Sequence, residues 1–225
     1  LAVALGLFSA GLPPHLALGT NKGQSVFGSL AALAAFTRAG KVDLRRAALA
    51  FPLGFVGSFA GAELVLRVPP AVLRPVVLVA LVLVAVFLAL RRPTEHHEAW
   101  VRPSLRAPVA AVCALVLGGY DGFFGPGVGT FLIVSSVLLL GEELTRATAN
   151  AKVVNFASNL AAVVVFSRRG VLDWGVALPM AGAQFAGGLL GARLAVKGGA
   201  KVIRYVVLAV VCALVARLSY DLYRA

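Results

Sequence analysis

Two lysines stand inside otherwise apolar stretches of the chain, each among side-chain amides and hydroxyls. Lys22 lies in Gly19-Thr20-Asn21-Lys22-Gly23-Gln24-Ser25, and Lys152 lies in Asn150-Ala151-Lys152-Val153-Val154-Asn155. Each is placed by its surroundings at the start of a long apolar helix. A lysine at the centre of a bilayer costs roughly 3 kcal/mol on insertion scales, so it normally faces a cavity or a partner. The alternative is a lysine that snorkels from a helix end to the headgroups. Lys152, Asn155 and Asn159 are spaced by three and four, which puts them on one helix side with Ser158 beside them. Ser25 and Ser29 follow Lys22 at the same spacing, with Thr20, Asn21 and Gln24 nearby. Such stripes also serve as hydrogen-bonding glue between membrane helices. A cation among amide and hydroxyl donors suits an oxyanion such as a sulfonate, sulfite or carboxylate.

A second candidate is the run Asp121-Gly122-Phe123-Phe124-Gly125-Pro126-Gly127-Val128-Gly129-Thr130. Glycine lets the backbone leave helical geometry, and proline removes a donor and breaks the helix. A helix restarting near Thr130 would aim free N–H groups and its positive dipole end at the break, a natural anion site. Gly125, Gly127, Gly129 and Thr130 are therefore candidate backbone contacts. Close packing or a tight turn would account for the same glycines. Asp121 is a candidate for proton or cation coupling, or a helix cap.

The elements that must position these residues are membrane helices. Apolar residues make up 60% of the 225 positions, charged residues 13%, and the mean hydropathy is +0.92. Soluble domains carry about 45–50% apolar and about 25% charged residues. The runs Ala47–Leu66, Val72–Leu90, Ala147–Phe166, Val176–Val196 and Val202–Leu218 are each near the roughly 20 residues that span a bilayer. The net charge of +12 sits between these runs, at Arg38 to Arg46, Arg91 to Arg106 and Arg193 to Arg204. That distribution sets membrane topology and favours anionic lipid, and no segment is long enough to offer nucleic acid a basic folded face.

Shifted by 130 residues, Gly11–Ala62 aligns with Gly141–Ala192 without a gap. Lys22 falls on Lys152, Phe36 on Phe166, Arg38 on Arg168, Gly40 on Gly170 and Asp43 on Asp173. An internal duplication in a membrane protein is a common architecture of secondary transporters. The sequence divides into a first membrane repeat over 1–92, a polar linker over 93–105 and a second repeat over 106–225. The fold class is all-α and polytopic, with about four helical elements per repeat. The partner of Gly118–Thr130 would precede residue 1, so the sequence reads as shortened at its N-terminus.

Ala107–Leu140, as one straight helix, would be about 50 Å long against a hydrocarbon core of about 30 Å. A helix over 107–117 and another over 131–140, separated by the glycine-rich run, form either a hairpin or one discontinuous helix. The hairpin gives inverted repeats with about 13 Lys and Arg on one face and about 6 on the other. One broken crossing gives parallel repeats and about 12 against 7. Alternating access favours inversion.

Other residues carry less. Cys113 and Cys212 lie in apolar runs and His96-His97 in the linker, with no spacing suited to a metal; no cofactor is expected. Gly54, Gly57 and Gly61, like Gly187, Gly188 and Gly191, are small-residue spacings for close helix packing. Glu63 is an interfacial charge, His15 follows Pro13-Pro14 at a helix break, and Gln184 faces an unassigned direction.

Two stretches, LPPHLALGTNKGQSVFGSLAA and GGYDGFFGPGVGTFLIVSSVLLLG followed by RATANAKVVNFASNLAA, resemble the two repeat signatures of the sulfite exporter TauE/SafE family, also called toluene-sulfonate uptake permeases. The resemblance covers nearly the whole chain, but the family's glycine-rich stretch ahead of the first signature is absent. It implies a permease in a prokaryotic cell membrane that moves sulfur-containing or organic anions such as sulfite, sulfonates or sulfoacetate. The expected site takes Lys152, Asn155, Asn159 and the 125–130 backbone from one repeat, and Lys22, Asn21 and Gln24 from the other. A passive anion pore is the rival reading. A membrane enzyme is disfavoured, since no HExxH pair or nucleophile motif lies on a spanning segment. Expected partners are a small anion and the lipid bilayer, with homo-oligomerisation open.

Overall fold

The computed structural model describes residues 12–73, 75–76, 79 and 99–224, with side chains described to residue 199. The expected run Val72–Leu90 lies largely outside the described residues, and His96 and His97 lie wholly outside them; the side chain of Cys212 is also outside. The described elements are helices: α1 (Pro14–Arg38), α2 (Leu44–Val65), α3 (Arg106–Phe123), α4 (Val128–Leu140), α5 (Leu144–Arg168) and α6 (Trp174–Arg224). A single 3₁₀ turn, Pro103–Leu105, leads into α3, and α6 leaves helical geometry at Gly199. Among the described residues, four segments are long and apolar enough to cross a bilayer: Leu44–Val65, Pro103–Phe123, Leu144–Arg168 and Trp174–Gly199. The chain is a multi-pass helical membrane protein.

Local chemistry sets the helix starts. Pro14 occupies the first turn of α1, where its missing N–H has no partner to lose. Asp43 caps α2, its carboxylate accepting from the backbone of Arg45 and Arg46 at 3.1 and 3.2 Å. Asp173 does the same for α6, accepting from Val176 N at 3.2 Å.

The helices are sorted by polarity in the sense opposite to a soluble protein. α1 and α5 are central and bury polar groups, including Thr20, Lys22, Gln24, Asn155, Ser158 and Asn159. The outer helices expose Val56 and Leu64 on α2, Val112 and Val116 on α3, and Leu178 and Leu190 on α6. Those faces suit lipid, whereas the central polar groups must satisfy one another or a cavity.

Of the two arrangements open for Ala107–Leu140, the structure adopts the hairpin. Ala110 and Cys113 lie beside Leu132, Ser135, Ser136 and Leu140. At its tip Tyr120 donates its hydroxyl hydrogen to the carbonyl of Pro126 at 2.7 Å. The break is shorter than the glycine content predicts: α3 runs six residues past Leu117, and only 124–127 are non-helical. Gly118 and Gly122 stay helical because α2 packs on them. A Cβ on Gly118 would meet the Gly54 carbonyl oxygen at 2.6 Å, and one on Gly122 would overlap the backbone of Ser58. The close-packing expectation thus holds for Gly57 and Gly61, where a Cβ would run into the α3 backbone, and for Gly54, where it would meet Val154 of α5 at 3.0 Å. On α6 it holds for Gly188 against Gly28, while a Cβ on Gly187 or Gly191 would meet no described atom within 4 Å.

α1 and α5 pack antiparallel. Gly19, near the start of α1, lies against Phe166 near the end of α5. Phe36, near the end of α1, clusters with Leu144 and Ala147 at the start of α5. The 130-residue offset recurs in the bounds of α1 and α5, and in the first residues of α2 and α6. It recurs also in two reciprocal bonds: Asp43 N donates to Asn150 Oδ1 at 3.0 Å, and Asp173 N donates to Thr20 Oγ1 at 3.1 Å.

The two ends of the bundle differ. At one end a cluster of Phe36, Leu144, Ala147, Ala192 and Ala195 lies near an ion pair between Arg46 and Glu142, with Asn150 Nδ2 donating to both Glu142 oxygens at 3.1 Å. Arg38, Lys41, Arg45, Arg106, Arg146 and Lys197 belong to this end. At the other end Leu18, Val65, Phe124, Phe166 and Leu172 form an apolar cluster. There His15 Nε2 sits 3.1 Å from the carbonyl of Val65, and Glu63 pairs with Arg169 at 2.7 Å.

Candidate functional site

A cavity of about 520 Å³ lies between α1, α5, α6 and the hairpin tip. α1 presents one wall with Asn21, Lys22, Gln24, Ser25 and Ser29, and α5 another with Thr148, Lys152, Asn155 and Asn159. Gly125 and Gly127 of the tip, with Asp121, close its deep end. From there it extends past Phe36, Thr148 and Ala195 toward the basic end of the bundle. The apolar cluster around Phe166 and Leu172 stands between it and the opposite end.

The helical spacing of three and four puts the α5 polar residues on one face, as the sequence predicts. Asn159 Nδ2 donates to the carbonyl of Asn155 at 2.7 Å, and Ser158 Oγ lies 3.1 Å from the same oxygen. The Asn155 side-chain oxygen is buried with no hydrogen-bond partner among the described residues. On α1, Gln24 Nε2 donates to Asn21 Oδ1 at 3.1 Å and to Ser25 Oγ at 3.0 Å.

The two lysines are in different states. Lys22 Nζ forms a buried ion pair with Asp121 Oδ1, and Ser158 Oγ donates to the other carboxylate oxygen. Three elements therefore meet on one carboxylate: α1, α3 and α5. Among the described residues, Lys152 makes no hydrogen bond or ion pair and faces the cavity. Gly125 adopts φ +95, and a Cβ there would meet Asp121 Oδ1 and Lys22 Nζ, each at 2.9 Å. Only glycine allows the tip to lie against that pair.

Of the residues singled out from sequence, Lys22, Lys152, Asn21, Gln24, Asn155, Asn159, Gly125, Gly127 and Asp121 come together on this cavity. Gly129 and Thr130 are not among its lining residues. Gly129 instead backs onto Asn155, where an added Cβ would lie 3.3 Å from Nδ2. The restarting helix offers fewer free amides than the break predicts. Val128 N donates to Gly125 O at 3.2 Å, while Thr130 N and Phe131 N donate to Gly127 O at 2.9 and 3.1 Å. The left-handed Gly125 and Gly127 fold the turn back so that its own carbonyls take these donors. Asp121 does not cap a helix; its oxygens are occupied by Lys22 and Ser158. The α6 wall, with Gln184, Gly187 and Gly191, lines the cavity, although sequence spacing assigned these glycines to packing and left Gln184 open. Gln184 as an amide within an apolar run was its one visible signal.

A polar cavity that carries a buried lysine–aspartate pair and a second lysine, set among membrane-spanning helices, fits a membrane transport protein. The chain belongs to the sulfite exporter TauE/SafE family, whose match covers residues 1–218. It is 36% identical to the probable membrane transporter protein YfcA of Escherichia coli over 215 residues, 96% of this chain and 80% of that protein. It is likewise 36% identical to the probable membrane transporter protein ORF9 of a Sinorhizobium species, covering 94% of this chain and 81% of the relative. A probable membrane transporter protein of Haemophilus influenzae is 33% identical over 96% of this chain and 84% of its own length. No solved structure matches the chain. The protein is a membrane transporter of the TauE/SafE type, which takes a small substrate and resides in lipid.

Proposed function

We propose that this chain is a secondary transporter for sulfur-containing or organic anions such as sulfite, sulfonates or sulfoacetate, working by alternating access. The observation that carries this reading is Lys152, which forms no ion pair among the described residues and lines a polar cavity bounded by both halves of the chain. Asn155, Asn159 and Asn21 bring amide groups around it, with Asn21 held by Gln24, and burial strengthens each contact relative to water. The family's description as a sulfite exporter supports the substrate class.

Inverted repeats fit the antiparallel packing of α1 on α5, the hairpin and the recurring 130-residue offset. Inversion gives two related states open to opposite sides. The cavity extends toward the end carrying Arg38, Lys41, Arg45, Arg46, Arg106 and Lys197. By the positive-inside rule that end is cytoplasmic, so the conformation is open inward.

A pore is distinguished from a carrier by kinetics. Purified protein in liposomes should give saturable uptake of a radiolabelled sulfonate, accelerated by unlabelled sulfonate trapped inside. Unitary conductance steps without counter-transport would overturn the carrier reading.

A further inference from the structure

We propose that Asp121 sets the valence of the anion this cavity accepts, restricting it to a single negative charge. The proposal rests on the anion-transport reading above and narrows it by charge: monosulfonates and hydrogensulfite are admitted, whereas the dianions sulfite and sulfoacetate are excluded. Among the described residues, the ionisable side chains lining the cavity are Lys22 from α1, Asp121 from α3 and Lys152 from α5, and the described parts of α4 and α6 contribute none. Asp121 is bound to Lys22 through one oxygen and to Ser158 through the other, and both ionic partners are 3% exposed. Lys22 is thereby paired, and Lys152, which forms no ion pair among the described residues but feels the same carboxylate electrostatically, leaves the three groups with one net positive charge.

Buried charge is tolerated only when it is paired, because transfer out of water is opposed by several kcal/mol per ion. A monoanion beside Lys152 brings the cavity to neutrality. A dianion leaves one negative charge uncompensated, close to the Asp121 carboxylate. Accepting it would require Lys22 to leave Asp121, which leaves the carboxylate buried with Ser158 alone. Gly125 enforces the arrangement, since the tip backbone is packed directly against both members of the pair. The same pair thus anchors the hairpin to α1 and removes one positive charge from the binding surface.

The test uses the full chain in lipid nanodiscs and two probes of similar size, ethanesulfonate with one charge and ethanedisulfonate with two. The wild type should bind the monosulfonate at least about tenfold more tightly, a difference of roughly 1.4 kcal/mol. Asp121→Asn frees Lys22, and the preference should reverse. The double variant Lys22→Met/Asp121→Asn restores the wild-type net of one positive charge, and the monosulfonate should again be preferred. The double variant also removes the unpaired charge that could prevent the single variant from folding. Binding of both probes with a ratio that is the same in wild type, single and double variants would overturn the valence assignment while leaving anion binding intact. Failure of the wild type to bind either probe would overturn both it and the transport reading.

Discussion

Lys22 on α1 and Asp121 on α3, 99 positions apart in sequence, form a buried ion pair in the interior of the bundle, each 3% exposed. Removing either partner strands a charge, which typically costs about 3–5 kcal/mol. Lys22→Met and Asp121→Asn should each destabilise the protein by that order, and the double variant by clearly less than their sum. Denaturation monitored by tryptophan fluorescence in detergent gives all three values. Additive losses would mean that the two groups do not interact.

Helix α3 contains adjacent glycines in opposite situations. An alanine at position 118 would meet the Gly54 carbonyl at 2.6 Å, whereas one at 119 would find Gly57 O at an ordinary 3.5 Å. Gly118→Ala should cost about 1–3 kcal/mol through overpacking. Gly119→Ala should be neutral or stabilising by up to about 1 kcal/mol from helix propensity. Equal melting temperatures for the two variants would contradict the close α2–α3 packing.

Gly125→Ala combines a left-handed backbone with a contact on the ion pair. About 1–3 kcal/mol of destabilisation follows from the backbone strain alone. Transport should fall further than thermal stability, because the added methyl pushes directly on Lys22 and Asp121. A variant with wild-type flux and wild-type melting would show that the tip does not rest on the pair.

The two ion pairs at opposite ends should differ in weight. Glu142 bonds both Arg46 and Asn150 and is 11% exposed in its side chain, whereas Glu63 pairs with Arg169, which is 60% exposed. Glu142→Gln should cost roughly 1–2 kcal/mol through its charge-assisted bonds. Glu63→Gln should fall within the small range typical of exposed pairs, below about 1 kcal/mol. A larger loss at Glu63 would reverse that order.

The spans expected at Ala47–Leu66, Ala147–Phe166 and Val176–Val196, the polar face of α5 and the placement of Lys22 and Lys152 on one cavity were legible because they depend on spacing and composition. Helical periodicity fixes which side Asn155 and Asn159 share, whatever the tertiary fold. The extent of α3 was not legible: Gly118 and Gly122 look like breakers until α2 is seen lying against them. The state of Asp121 depends on a partner on another helix, and no local pattern shows that Lys22 reaches it while Lys152 does not. Gln184 was ambiguous for the same reason, since its direction is set by how α6 packs on Gly28. The satisfaction of the α4 amides follows from φ values at Gly125 and Gly127, which sequence permits but does not dictate.

The central claim is that Lys152 is the anion's counter-charge, and sulfonate flux into proteoliposomes by Lys152→Ala tests it most directly. The account predicts a loss of at least about tenfold in flux, with folding intact by size-exclusion chromatography. Wild-type flux in Lys152→Ala would contradict it.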